Sequence, residues 1–297
     1  IWAERYLQNK KFNKHQECNT RCLIDKVTRF EDEHKHPMNI DSMTADDLRV
    51  FADFLSSDYD ISMNTIVTNM TLMRTVCNWV RKQGVTNNDP FFGYDMPKAL
   101  YGTPYFLTIQ ERDQVLDADL TDDAELAEYR DMFVFQCMVG CRHSDLVTFT
   151  PKNIIDGVLE YIPIKTKGKL GDVVRVPLIP KAMAILDGHD HGDDEPIFPK
   201  HYNFKFNDAI RRILKRAKVN RVVTVINPKT RLEEKKPISD VATSHLARRT
   251  FIGNLYRMVK DPDLVASMSG HAKGSVAFAR YRVIDDDMKK SLVELIQ

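Results

Sequence analysis

The stretch TNNDPFFGYDMPKALYGTP, residues 86–104, constrains this chain more than any other. It is rich in Pro, Gly, Asn and Asp and follows neither a helical nor a strand period, so no single element can run through it. The chain therefore folds as two bodies joined by a linker, and its 297 residues leave each body enough length for a core. Upstream, the apolar residues recur at helical spacing. Leu23, Ile24, Val27 and Phe30 share a face over residues 21–34. A second segment starts at Thr44 and carries Leu48, Phe51 and Leu55. A third, over residues 65–83, carries Ile66, Met70, Met73, Val76, Trp79 and Val80 and stops at Gly84.

Downstream the pattern is mixed. Thr108 to Glu111 reads as a capping box. Residues 122–139 form a helix with Leu126, Met132, Phe133 and Phe135 on its apolar face, ended by Gly140, and a short helix follows at 143–147. VLEYIPIKTKGKLGDVVRVPL, residues 158–178, has two β-rich runs around a Lys/Gly turn and predicts a hairpin. A basic amphipathic helix over 203–218 precedes a looser hairpin at 221–237. Helices over 243–259 and 262–268 follow, the latter closed by Gly270, and two short helices near 276–282 and 286–296 end the chain. The expected fold is mainly α with small β-hairpins. Residues 1–92 form a helical domain, 93–105 a linker and 106–297 a second, mixed α/β domain.

Charge is unevenly spread. The chain carries +1 overall, but residues 1–100 sum to −1, 101–200 to −8 and 201–297 to +10. A basic last third suits a polyanionic partner or a solvated basic face equally. Five Cys in a chain of this length make no disulfide framework and suit a reducing cytoplasm. No apolar run approaches a membrane span, and the first residues lack the apolar core of a signal peptide. A start at Ile1 suggests a fragment. Phosphate-cradling Gly-rich loops and HEXXH are absent from the sequence. His15, Cys18, Cys22, His34 and His36 cluster early, but their spacing fits a zinc site badly, so no metal is expected.

The informative residues come later and in a fixed order. GCRHSDL sets Arg142 where a helix-ending glycine turns into a new helix, a place where it can also anchor the turn through Asp145. TSHLARRTF sets His245 and Arg248 three apart, on one helix face, with Arg249 pointing elsewhere. Gly270-His271 follows, and Tyr281 comes ten residues after His271. Each has an ordinary structural explanation when taken alone. As a series of Arg, hairpin Lys, His-x-x-Arg, Gly-His and Tyr, the chain resembles the tyrosine recombinase (phage integrase) family over nearly its whole length. VGCRHSDL, the IKT of the hairpin and SHLARRTFI look most like integrases of mobile elements in Bacteroidetes-type bacteria.

The resemblance implies a helical, SAM-like core-binding domain followed by a catalytic domain, the two clamping a duplex like a C. It implies a site-specific recombinase that cleaves and rejoins DNA through a 3′-phosphotyrosine, in integration or excision of a mobile element, with no metal or nucleotide cofactor. Carried onto this sequence, Arg142 and Arg248 stabilise charge on the phosphoryl oxygens, and forked guanidiniums suit that task better than ammonium groups. His271 donates to the same phosphate, His245 donates or handles a proton, and Tyr281 is the nucleophile. The general acid is a hairpin lysine. Lys165, in a Lys-Thr pair after the strand YIPI, fits best, while the longer connection to Pro177 keeps Lys167 open. The other turn lysines, Lys169 among them, and Arg81 and Lys82 at the end of the third helix are candidate phosphate contacts. The basic helix with Lys205, Arg211, Arg212, Lys215, Arg216 and Lys218 is another. Expected partners are double-stranded DNA, further copies of the chain in a tetrameric synapse, and accessory DNA-bending or directionality proteins, in the bacterial cytoplasm at the nucleoid. Related readings are a type IB topoisomerase-like or chromosome-dimer-resolving enzyme. A catalytically silent DNA-binding protein belongs to a different class.

Overall fold

A computed structural model describes residues 2–9, 11–166, 173–189, 192–259, 261–271 and 293–294. The chain divides into two compact units, Ile1–Tyr101 with Ile226–Glu233, and Gly102–Val225 with Glu234–Gln297. Among the described residues, no helix is long and apolar enough to cross a membrane.

The first unit is helical: α1 (Trp2–Asn9), α2 (Lys14–His34), α3 (Ala45–Ser57) and α4 (Met63–Lys82). Phe51 and Phe54 each meet Phe30 edge-on at its centre, with Leu48, Leu55, Met70 and Val80 buried around them. The helix expected over 21–34 begins seven residues earlier. Residues 14–20 are almost wholly polar, so the apolar period is silent there; the start is instead set by Asn13, whose side chain accepts from the Gln16 amide while Gln16 reaches back to Asn13. Helix α1 was also illegible in the periodicity. It is held by Tyr6, which packs edge-on against Phe12 and Trp79. In the early His/Cys cluster, His34 stacks on Phe30 and His36 Nε2 lies 2.8 Å from Asp47 Oδ1. Cys18 and Cys22 are exposed free thiols.

The second unit is built around α6 (Ala124–Val139). Its amphipathic reading needs correction: Leu126, Tyr129 and every residue from Met132 to Val139 are buried, so the helix is covered on all sides. It is wrapped by α5 (Ile109–Leu116), α8 (Pro180–Asp187), α9 (Asn203–Arg216) and α11 (Ser244–Val259). Thr108 and Glu111 cap α5 reciprocally, at 2.8 Å and 3.1 Å. Short helices α7 (His143–Leu146) and α10 (Ile238–Val241), and α12 (Pro262–Ser269), complete the helical set among the described residues.

The expected hairpin is part of a three-stranded antiparallel sheet, β1 (Ile154–Ile155), β2 (Val158–Tyr161) and β3 (Val174–Pro177). Asp156 and Gly157, both at positive φ, form the tight β1–β2 turn that such a dipeptide favours. Leu159 pairs with Val176 and Tyr161 with Val174, and these four side chains face the core. Strand β2 stops at Tyr161. Pro163 cannot donate to a ladder, and Ile164–Thr166 coil into a 3-10 turn, so Lys165 sits on that turn rather than at the end of a strand. The second hairpin, β4 (Val222–Ile226) and β5 (Glu233–Pro237), is a separate two-stranded ribbon.

Candidate active site

Three helix ends assemble the site. Helix α6 closes on Gly140, whose φ of 69° places it in the left-handed region. An alanine Cβ there would fall 2.2 Å from Phe251 Cδ1, so the position needs glycine for both its backbone and its neighbour. The turn delivers Arg142 to the N-cap of α7. His245 and Arg248 lie on the first turns of α11. Helix α12 ends on Gly270, again left-handed at φ 64° and packed closely on Val174 and Pro163, and the chain leaves it at His271.

Arg248 is the hub. It is 3% exposed, its Nη1 donates to the Gly140 carbonyl at 2.7 Å, and its Nη2 lies 3.0 Å from His271 Nδ1. A guanidinium at the C-terminus of α6 meets an orphan carbonyl and the negative end of the helix dipole, which offsets the cost of burying it. Ser269 Oγ also reaches His271 Nδ1, at 2.9 Å. The same Arg248 nitrogen lies 3.2 Å from His271 Nε2, and Ser269 Oγ donates to the Val265 carbonyl at 2.8 Å. A cavity of about 310 Å³ opens beside these groups, lined by Gln136, Cys141, Arg142, His143, Ser144, Asn203, Ser244, His245 and Arg248.

The field in this region is positive, and the imidazoles respond to it. Burial, then Arg248, Arg142 and Lys165, push the His271 pKa down to about 3. His245 is exposed at the cavity rim. Lost hydration on its protein side, followed by Arg249, Arg248, Arg142 and Lys165, also lowers its pKa. Burial and nearby His201 lower that of His143. All three are neutral at pH 7, so His271 offers a hydrogen-bond donor without a charge. The stability consequence has a definite sign. A histidine that is neutral when folded and protonates when unfolded contributes fully above the unfolded pKa near 6.5 and loses that contribution on acidification below it. The second unit should therefore lose the histidines' contribution as pH falls from about 6.5 toward 3, which thermal melts across that range would show. NMR titration of the His Cε1 protons should show the His271 resonance unmoved through pH 6 to 5.

The structure brings Arg142, His245, Arg248 and His271 together, with Lys165 near enough for its charge to act on both imidazoles. Arg249 is turned away, its guanidinium 5.1 Å from the Tyr105 ring centroid. Arg81 is ion-paired to Asp89 at 2.7 Å, and Lys82 lies exposed at the end of α4. On the basic helix, Arg211, Arg212, Lys215 and Arg216 are paired with Asp208, Asp123, Asp240 and Asp122, which spends much of the charge read there as available for a polyanion. Its apolar face, Phe206, Ile210, Ile213 and Leu214, is core. Lys167, Lys169 and Tyr281 lie outside the described residues, as do the two short C-terminal helices read near 276–282 and 286–296, apart from residues 293–294.

Asp145 has a role the sequence reading did not reach. Arg142 meets it only at the outer limit of an ion pair, Nη1 to Oδ2 4.0 Å. In addition Asp145, 2% exposed, accepts the Ile164 amide at 2.9 Å and thereby ties the Lys165 turn to the Arg142 helix. A buried acid three residues after Arg142 signals this only once Ile164 is placed beside it.

The phage integrase family model matches residues 105–288, and the phage integrase SAM-like domain model matches residues 2–96. No curated protein sequence matches the chain. Among solved structures, it resembles the Tn1549 transposon integrase in complex with a circular intermediate DNA, at 15% identity over 99% of this chain and 97% of that one, with a TM-score of 0.73. It also resembles a lambda integrase fragment, a dimer bound to a COC′ core site, at 14% identity over 96% and 95% of the two chains, with a TM-score of 0.69. At such identities the likeness is one of fold, and the family models carry the assignment. The chain belongs to the phage integrase family, the tyrosine recombinases.

Proposed function

We propose that the chain recombines DNA at specific sites, as the integrase of a mobile element, with Arg142, His245, Arg248, His271, Tyr281 and a hairpin lysine as its catalytic groups. The observation that carries this reading is that Arg142, His245 and Arg248 line one cavity, that Arg248 Nη2 lies 3.0 Å from His271, and that the Lys165 charge reaches both imidazoles. The phosphodiester enters that cavity. The Tyr281 phenol oxygen attacks phosphorus, its proton passing to His245 or solvent, and the P–O5′ bond breaks. Lys165, or Lys167 two residues on, protonates the departing 5′ oxygen. Arg142, Arg248 and His271 take the charge that builds on the non-bridging oxygens, usually the largest catalytic contribution in such reactions. The 3′-phosphotyrosine conserves the bond energy, and attack by a 5′-hydroxyl from a second duplex reverses the step. Lys167, Lys169, Arg81 and Lys82 would contact backbone phosphates, which position a protein without reading sequence. The acting species would be a homo-oligomer on DNA, a tetramer at the synapse, joined by DNA-bending or directionality proteins in the bacterial cytoplasm.

The test is a pool of nicked duplexes with randomised cores, in which cleavage releases a short strand and traps the enzyme. The wild-type chain should form a covalent DNA adduct, and peptide mapping should place the nucleotide on Tyr281. An adduct on another residue, or none, overturns the assignment. Exchange of strands between two captured duplexes, rather than relaxation of one supercoiled circle, separates a recombinase from a topoisomerase.

A further inference from the structure

Helix α6 carries one polar side chain deep in its buried run. From Met132 to Val139 every other residue is apolar, yet Gln136 is 1% exposed. Its Nε2 donates to the Cys141 carbonyl at 3.0 Å, which settles the orientation of the amide, since the reverse would set two oxygens face to face. Its Oε1 is buried with no hydrogen-bond partner among the described residues. A half-paired buried amide costs stability that a leucine in the same place would not. Packing alone does not account for it.

The cavity supplies an account. Gln136 lines it together with Cys141, Arg142 and Arg248. Arg142 has the complementary defect: its Nη1 is buried with no acceptor in hydrogen-bond range among the described residues, Asp145 Oδ2 being 4.0 Å away. We infer that Gln136 is a positioning residue for Arg142. Its amide N–H fixes the Cys141 carbonyl, and so the backbone that presents Arg142. Its amide oxygen takes one N–H of the Arg142 guanidinium when a phosphate draws the rest of the fork into the cavity. A guanidinium has five N–H groups, and a phosphate engages a fork of two. A donor turned away from the anion then needs an acceptor: Asp145 Oδ2, buried without a hydrogen-bond partner among the described residues, stands 4.0 Å from Nη1, and the Gln136 amide oxygen is a second. An amide oxygen provides it without adding negative charge, as a second carboxylate beside Asp145 would, and so leaves the field on the phosphate intact. This inference rests on the proposed reading of the cavity as a phosphodiester site.

The experiment is single-turnover adduct formation on one nicked duplex captured by the wild-type chain. Gln136→Leu should slow it about 100-fold, the scale expected when a catalytic group is misplaced by about 1 Å, while the Kd for that duplex stays within about threefold. Gln136→Met, a closer match in shape, should show the same loss, and the Tm of both variants should equal or exceed wild type. Since Gln136 acts through Arg142, adding Gln136→Leu to Arg142→Lys should cost no more than about twofold further, the margin of a double-mutant cycle. A wild-type rate in Gln136→Leu, or the full 100-fold loss again in the Arg142→Lys background, would overturn the inference while leaving the Tyr281 adduct and the recombinase reading in place. Absence of any adduct from the wild-type chain would remove both.

Discussion

Replacing Arg248 with alanine should lower the single-turnover rate of strand cleavage by at least about 10²–10³-fold, the cost of losing one preorganised donor to a developing oxyanion. The effect should sit at the upper end or beyond, because this one side chain does three things. It presents a buried positive charge to the cavity, it closes α6 through the Gly140 carbonyl, and it orients His271. Loss of the second contact leaves a buried carbonyl without a partner, at about 1–3 kcal/mol, so the Tm should fall as well. The two consequences separate cleanly. At temperatures far below the lowered Tm the fold is intact, and any remaining rate deficit is electrostatic. NMR offers a further readout: with the second-largest cause of its depression gone, the His271 pKa should climb back toward 6.5 in Arg248→Ala. Arg248→Lys keeps the charge but cannot reach Gly140 and His271 with one nitrogen, and should recover only part of the rate. A full rate in either variant would contradict the assignment of Arg248 to charge stabilisation.

Gly140→Ala should destabilise the second unit by several kcal/mol, although glycine and alanine differ by only one methyl group. The left-handed backbone costs an alanine about 1–2 kcal/mol. A Cβ 2.2 Å from Phe251 Cδ1 and 2.7 Å from its Cγ must also displace a ring that is 7% exposed, an overpacking cost of about 1–3 kcal/mol. For a unit of this size each kcal/mol lowers Tm by about 2–4 °C. Scanning calorimetry should therefore show a drop of roughly 4–20 °C, from a combined cost of about 2–5 kcal/mol. Gly140→Ala combined with Phe251→Leu should relieve the clash and keep the backbone strain, so it should not restore the wild-type Tm. An unchanged Tm in the single variant would mean the turn tolerates a side chain, and that Gly140 is not what aims Arg142.

Much of this was legible in residue order because the site is made of helix ends, and helix ends announce themselves. Gly140 and Gly270 mark left-handed closures, and the His245/Arg248 spacing marks a shared face. What lay beyond the sequence depended on partners far along the chain. The carboxylates on Asp122, Asp123 and Asp240 claim arginines and a lysine of α9 that looked available. Asp145 reaches Ile164 only after the sheet has formed, and the 3-10 turn that carries Lys165 follows from Pro163 ending a strand that the β-rich run YIPI appeared to continue. Polar helix starts such as residues 14–20 were silent for a simpler reason: an apolar period cannot be read where apolar residues are missing.

The anchoring of one guanidinium to the close of α6 and to the residue after α12 has a consequence for how activity is lost. On the proposed reading, the cutting apparatus needs three separate segments seated together, so loosening any one of them should silence cleavage before the rest of the fold is lost.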